Sequence, residues 1–331
     1  MKHLGQRVVF GAFVVALLLS SPGAGHGVSS FGLVAQAQET EDQAKIDIYT
    51  RFVENRKSNE GAAYQAAKDY LQKYPKDDDQ YSKYLKTWSV IYERDERKRR
   101  LPELLYTEKN FAEAYKVGKQ ILAEEPDNLP ALIHLGYGGY VATTEAKNET
   151  FNADARVYAK KAIQALEAGK APPDWKPFKG KDDTLAYLYY SIGFFNLRSA
   201  PEQAIEPLIK STQFESDRKK SPSTYYFLAA SYETGPYKTM AAAFQTNFAG
   251  KPETPESKLA LEKLNVIIDR MIDAYARAIA AAGSDPANAQ NKTQWMAKLT
   301  DFYKFRHEGS DAGLTELVAG VMSKPLPPKP A

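Results

Sequence analysis

The chain has no cysteine. Disulfides, thiolate metal sites and cysteine nucleophiles are therefore excluded, as is lipid anchoring through a cysteine at a cleavage site. Histidine is nearly absent as well, with four in 331 residues. Past residue 37 only His134 and His307 remain, and no HExxH pair occurs. A metal centre built on clustered imidazoles is therefore not expected, nor is any other cofactor site. Strand-like alternation is missing, and turn signals recur at helix-length spacing. Charge of one sign is missing too. Without Lys2 and Arg7 the chain holds 42 basic against 41 acidic residues, so no general attraction to nucleic acid or anionic lipid is expected. No stretch beyond the N-terminus is apolar enough to cross a membrane.

The N-terminal 37 residues differ from the rest. Lys2 and Arg7 precede the apolar run Val8 to Leu19, and Ala35-Gln36-Ala37 is a small-x-small site. This is the grammar of a secretory signal peptide cleaved after Ala37, which implies export to a periplasm or the extracellular space. The run is too short to span a bilayer.

The rest reads as helix after helix. Phe111 to Glu124 is amphipathic, Pro126-Asp127-Asn128 is a turn, and a second helix starts at Leu129. Further helices are expected near 43–56, 60–73, 79–100, 152–168, 184–197, 201–214, 222–233, 236–247, 255–282, 287–307 and 311–322. Thr254-Pro255-Glu256 and Ser221-Pro222 read as helix starts, and Gly283 as a helix end.

Five segments share one spacing, large-x2-large-small-x2-large in its clearest form: Tyr81 to Trp88, Leu132 to Gly139, Tyr189 to Asn196, Tyr225 to Tyr232 and Met296 to Tyr303. The large positions fall on one helical face, and a small residue beside them admits a neighbouring helix. A second pattern, Ala63-x3-Ala67 and Ala114-x3-Gly118, is followed eight residues on by Pro75 and Pro126. Together these resemble the tetratricopeptide repeat, and residues 43–322 as a whole resemble secreted bacterial proteins of that repeat. The resemblance implies an all-α, right-handed superhelical solenoid of helical hairpins. The spacing drifts, and Gly118, Gly139 and Asn196 stand where the repeat usually carries an aromatic residue. The organisation read from the chain is a leader (1–37), an N-terminal half (38–170), a proline-rich hinge loop (171–183), a C-terminal half (184–323) and an extended proline-rich tail (324–331).

Nothing resembling a nucleophile-base constellation appears. His134 and His307 fit structural roles. The acids Asp77 to Asp79 and Asp182-Asp183 sit where acids cap helices. Gly136-Tyr137-Gly138-Gly139 lacks the spacing of a phosphate loop and suits close helix packing. The charged run Glu93 to Arg100 is expected to be laced by i,i+4 pairs Glu93–Arg97, Asp95–Arg99 and Glu96–Arg100. In the tail, PxxP spacing occurs twice and a solvated end is expected.

Tyrosine is the abundant residue, with 21 copies. Tyr189, Tyr225 and Tyr232 belong to the repeat pattern and are expected in the core. By the repeat resemblance Tyr137, Tyr140, Tyr187, Tyr190, Phe194 and Tyr226 fall on the concave face. Aromatic residues with a polar end suit recognition. The expected function is a non-enzymatic scaffold that binds a peptide segment or partner protein along that face. Two alternatives stay open: a carbohydrate-binding protein or enzyme on an α-solenoid or α/α-toroid, and a component of an envelope assembly or secretion complex.

Overall fold

A computed structural model of the chain describes residues 30–330. Most of the leader, residues 1–29, lies outside the described residues, and residues 30–37 form the first turns of α1. The described residues are α-helical and contain no strand. The helices are α1 (Ser30–Asn55), α2 (Glu60–Lys73), α3 (Gln80–Tyr106), α4 (Phe111–Glu124), α5 (Leu129–Ala146), α6 (Asn152–Glu167), α7 (Lys181–Asn196), α8 (Pro201–Ser211), α9 (Pro222–Tyr232), α10 (Lys238–Phe248), α11 (Pro255–Ala282), α12 (Ala289–Arg306) and α13 (Leu314–Gly320). None is long and apolar enough to cross a membrane.

The ends follow capping chemistry. Asn59, Asn110 and Asn128 each accept a backbone N–H three residues on. Thr254 and Ser257 form a reciprocal capping box at the start of α11. Gly283 ends α11 with φ +55°, a conformation that favours glycine. Lys98 and Asn128 both bond the Glu125 carboxylate, with Lys98 the stronger influence, and hold it below the usual range.

Two compact units divide inside α3, between Val90 and Ile91. In the first, Ile48 and Phe52 of α1 pack on Ala63, Ala66, Ala67 and Tyr70 of α2 and on Leu85. Trp88 closes on Phe52 edge to face at 5.0 Å. Asp77 accepts the Tyr70 hydroxyl at 3.2 Å and pairs with Lys45 at 3.0 Å. In the second unit each helix from α4 to α9 touches the next, and α5 also touches α7, and α7 touches α9. So α5, α7 and α9 lie side by side. α11 then packs on α9 and α12 on α11. Ile192, Leu228, Tyr232 and Leu299 from the repeated segments are buried. Tyr189 is not in the core as expected: it is half-buried, stacks on Phe214 and donates its hydroxyl to Glu167 at 2.7 Å.

Small residues set the helix spacing in the second unit. A methyl group on Gly136 would sit 2.8 Å from the backbone of Ala159 in α6. On Gly118 it would meet Leu135, on Gly138 Leu105, and on Gly193 Leu208. The glycines of α5 thus form a packing surface that faces α6 at Gly136 and α3 at Gly138.

The loop 171–183 lies within the second compact unit. Phe178 of this loop is buried with Leu166, Leu185 and Leu188, and Trp175 packs on the same cluster. The aromatic residues of the loop bury themselves, and α6 and α7 on either side are in contact. The 93–100 run also pairs beyond the expected i,i+4 spacing. Arg97 pairs with Glu124, Lys98 with Glu125 and Arg100 with Glu103 and Glu108, while Arg99 pairs with Glu96 at i,i+3. The C-terminal end of α4 offers carboxylates to this face of α3, and reach decides the partners. The tail is not free either. Arg277 and Arg270 of α11 hold its carbonyls, and Leu326 packs on the core.

Gly136→Ala is expected to lower stability by about 1–2 kcal/mol in urea denaturation, because an overpacking cost of about 1–3 kcal/mol exceeds the ~0.5–1 kcal/mol gain in helix propensity. Gly138→Ala, which presses only on the flexible tip of Leu105, is expected to cost less.

Candidate functional site

The rings predicted for a common face do come together. They arise from three adjacent helices: Tyr137 and Tyr140 from α5; Tyr187, Tyr190 and Phe194 from α7; Tyr226 from α9. Tyr140 packs edge to face on Tyr190 at 5.5 Å and on Phe194 at 5.1 Å. Tyr137 stacks on Tyr140 at 5.7 Å and meets Tyr187 at 5.5 Å. These separations lie in the range where aromatic pairs attract.

Residues not foreseen in the sequence complete the strip. Phe178, from the proline-rich loop, closes one end against Tyr137 at 5.1 Å. Phe227 links Phe194 at 5.8 Å to Tyr226 at 5.7 Å. Trp295 of α12 stacks on Tyr226 at 5.1 Å. Phe227 carried a usable signal, since it follows the predicted Tyr226 in α9. Trp295 directly precedes the segment Met296 to Tyr303, whereas Phe178 lies in the proline-rich loop, away from those segments, and carried no signal.

Five of the six predicted residues are half-buried, and Tyr190 is 1% exposed. Tyr190 therefore supports the face from the core. Its hydroxyl is bonded to Ser223 at 3.0 Å, and burial raises its pKa well above that of free tyrosine. Burial raises Tyr137 similarly, and neighbouring tyrosines add to it. Both rings stay neutral across the ordinary pH range.

One cation lies on the strip. Arg218, from the segment Asp217–Lys220 between α8 and α9, places its guanidinium carbon 4.7 Å from the Tyr187 ring and 4.6 Å from the Tyr190 ring. Its Nε is buried without an acceptor, and it has no carboxylate partner among the described residues. The π faces of two tyrosines take the place of a counter-ion. Arg218 thus covers the Tyr187 part of the face. The Phe194 part stays open. There Phe194, Phe195, Tyr226 and Phe227 line one wall of a groove of about 840 Å3, and Asn152, Arg156 and Arg198 line the polar side. Arg156 donates to Asn196 at 2.8 Å, and Arg198 pairs with Glu149 at 3.0 Å.

At the closed end the Tyr106 hydroxyl lies 3.2 Å from His134 Nδ1. A neutral imidazole can accept that proton. Burial pushes His134 down to about 4, against a small opposing pull from Asp174. No group of three His, Asp or Glu residues among the described ones is placed to hold a metal.

No protein-family model, curated protein or solved structure matches this chain.

Tyr190→Ala is expected to destabilise by about 3–5 kcal/mol, the cost of emptying a large buried aromatic site, whereas Tyr226→Ala should cost clearly less in the same denaturant titration. His134 binds a proton more readily unfolded than folded, so stability should fall as pH drops from about 6.5 to about 4. His134→Gln should flatten that part of the curve of urea midpoint against pH.

Proposed function

We propose that this chain is an exported, non-enzymatic scaffold of the tetratricopeptide type, a right-handed solenoid of helical hairpins. It binds a peptide segment of a partner protein along the aromatic face of α5, α7 and α9. The observation that carries this reading is the open stretch from Phe194 to Tyr226. Large half-buried rings there border a groove that also offers amide and guanidinium donors. Rings supply apolar contact at low entropic cost, and a polar opposite wall pairs the backbone of an extended guest. The side-by-side placement of α5, α7 and α9, with α6 and α8 in contact with them, supports the hairpin reading. The N-terminal charge pattern and Ala35-Gln36-Ala37 support export.

The binding surface is narrower than six tyrosine-type positions. Tyr190 builds it from below, Arg218 covers Tyr187, and Phe194 with Tyr226 and Phe227 form the part that a guest meets. Selection of a displayed random-peptide library on the purified chain tests this. Enriched peptides are expected to lose at least tenfold in affinity for a Phe194→Ala/Tyr226→Ala chain whose far-UV circular dichroism is unchanged. Equal affinity for that variant would reject the face as the site. Retention of polysaccharides with no peptide enrichment would replace the peptide reading with the carbohydrate one.

A further inference from the structure

Away from the aromatic face, α11 presents a stripe at alternating spacings of four and three residues: Leu259, Lys263, Val266, Arg270, Asp273 and Arg277. Its C-terminal half holds the tail. Arg277 is only 3% exposed. Asp273 fixes its guanidinium through Nε at 2.6 Å, which pairs the charge and sets the direction of the remaining donors. Nη2 then donates to the carbonyls of Lys324 at 3.0 Å and Pro325 at 2.9 Å. About two turns toward the start of α11, Arg270 Nε donates to the carbonyl of Pro328 at 3.0 Å. Between these points Leu326 packs on the hydrophobic core.

The contacts read an extended backbone and one aliphatic side chain. Proline suits this, since it has no N–H to leave unpaired and enters with its backbone already restricted. Lys324 and Lys329 are exposed and form no ion pair among the described residues. Nothing in the recognition therefore depends on belonging to the same chain. The stripe also continues past Arg270 over Val266, 40% exposed, and Leu259, 52% exposed. That leaves apolar surface in line with the tail.

We propose that the Arg277–Arg270 stripe of α11 is a binding site for proline-rich extended segments of a partner protein, of the form Pro-aliphatic-Pro-Pro, and that the chain's own tail is its resident, displaceable occupant. A partner segment gains Val266 and Leu259 in addition to the arginine contacts. The cis tail competes at a high effective concentration, so the site is masked until a partner outbids it or the tail is released.

A fluorescein-labelled octapeptide of sequence KPLPPKPA, titrated by anisotropy against the full-length chain, tests this. Binding to a Leu326→Ser chain is expected to be at least tenfold tighter than to the wild type, because the cis occupant has lost its anchor. Adding Arg270→Ala to that variant should weaken binding at least fivefold, and a peptide with serine for its leucine should bind neither chain. Equal affinity for wild type and Leu326→Ser, or indifference to Arg270→Ala, would overturn the proposal. If Leu326→Ser lowers helicity, the same titration on Pro328→Gly, which loosens an exposed part of the tail, decides in the same terms.

Discussion

The close approach of α5 to its neighbours is the constraint on which the second unit depends. Where Gly136 faces the Ala159 backbone, the two helices come nearer than any side chain would allow. Gly118 and Gly193 make room for the side chains of Leu135 between α4 and α5 and of Leu208 between α7 and α8. Packing at this distance lets α5 touch α7 as well as α6, and α7 touch α9. The aromatic strip is a consequence. Rings on α5, α7 and α9 can stand 5–6 Å apart only if the helices under them are near neighbours. Larger residues at the glycine positions would part the helices and break the strip into isolated rings.

Cations on the unit are handled in three ways. Arg97, Lys98 and Arg100 meet carboxylates on the surface, where such pairs contribute little. Arg277 is buried and needs its pairing with Asp273, since an unpaired charge at that depth would be costly. Arg218 has no carboxylate and rests on tyrosine faces. Its choice of surroundings divides the aromatic face into a covered part at Tyr187 and an open part at Phe194. The tail applies a related economy: prolines bring no donors to be satisfied, and the arginines of α11 supply what their carbonyls need.

Local chemistry was legible in the chain. Most helix positions followed from periodicity, and the ends of α11 from Thr254 and Gly283, because these interactions span only three or four residues. The three α5 glycines were recognisable as packing residues for the same reason: they sit beside large residues at helical spacing. The grouping of Tyr137, Tyr140, Tyr187, Phe194 and Tyr226 was legible from the spacing shared by the segments that carry them. That spacing could not show that Tyr190 lies beneath the face, since depth depends on which neighbour covers a ring.

Sequence alone thus determined the helical class, the position of most helices and six of the rings that gather on α5, α7 and α9, while α1 starts earlier and α3 ends later than its spacing indicated. Only tertiary structure decided where the chain divides, which carboxylates the 93–100 run reaches, that Phe178 and Trp295 bracket the strip, that Arg218 lies across it, and that the tail docks on α11. Each of the first group is set by contacts within one or two turns of helix, which spacing encodes. Each of the second joins residues brought close by the packing of whole helices, and no local spacing records those distances.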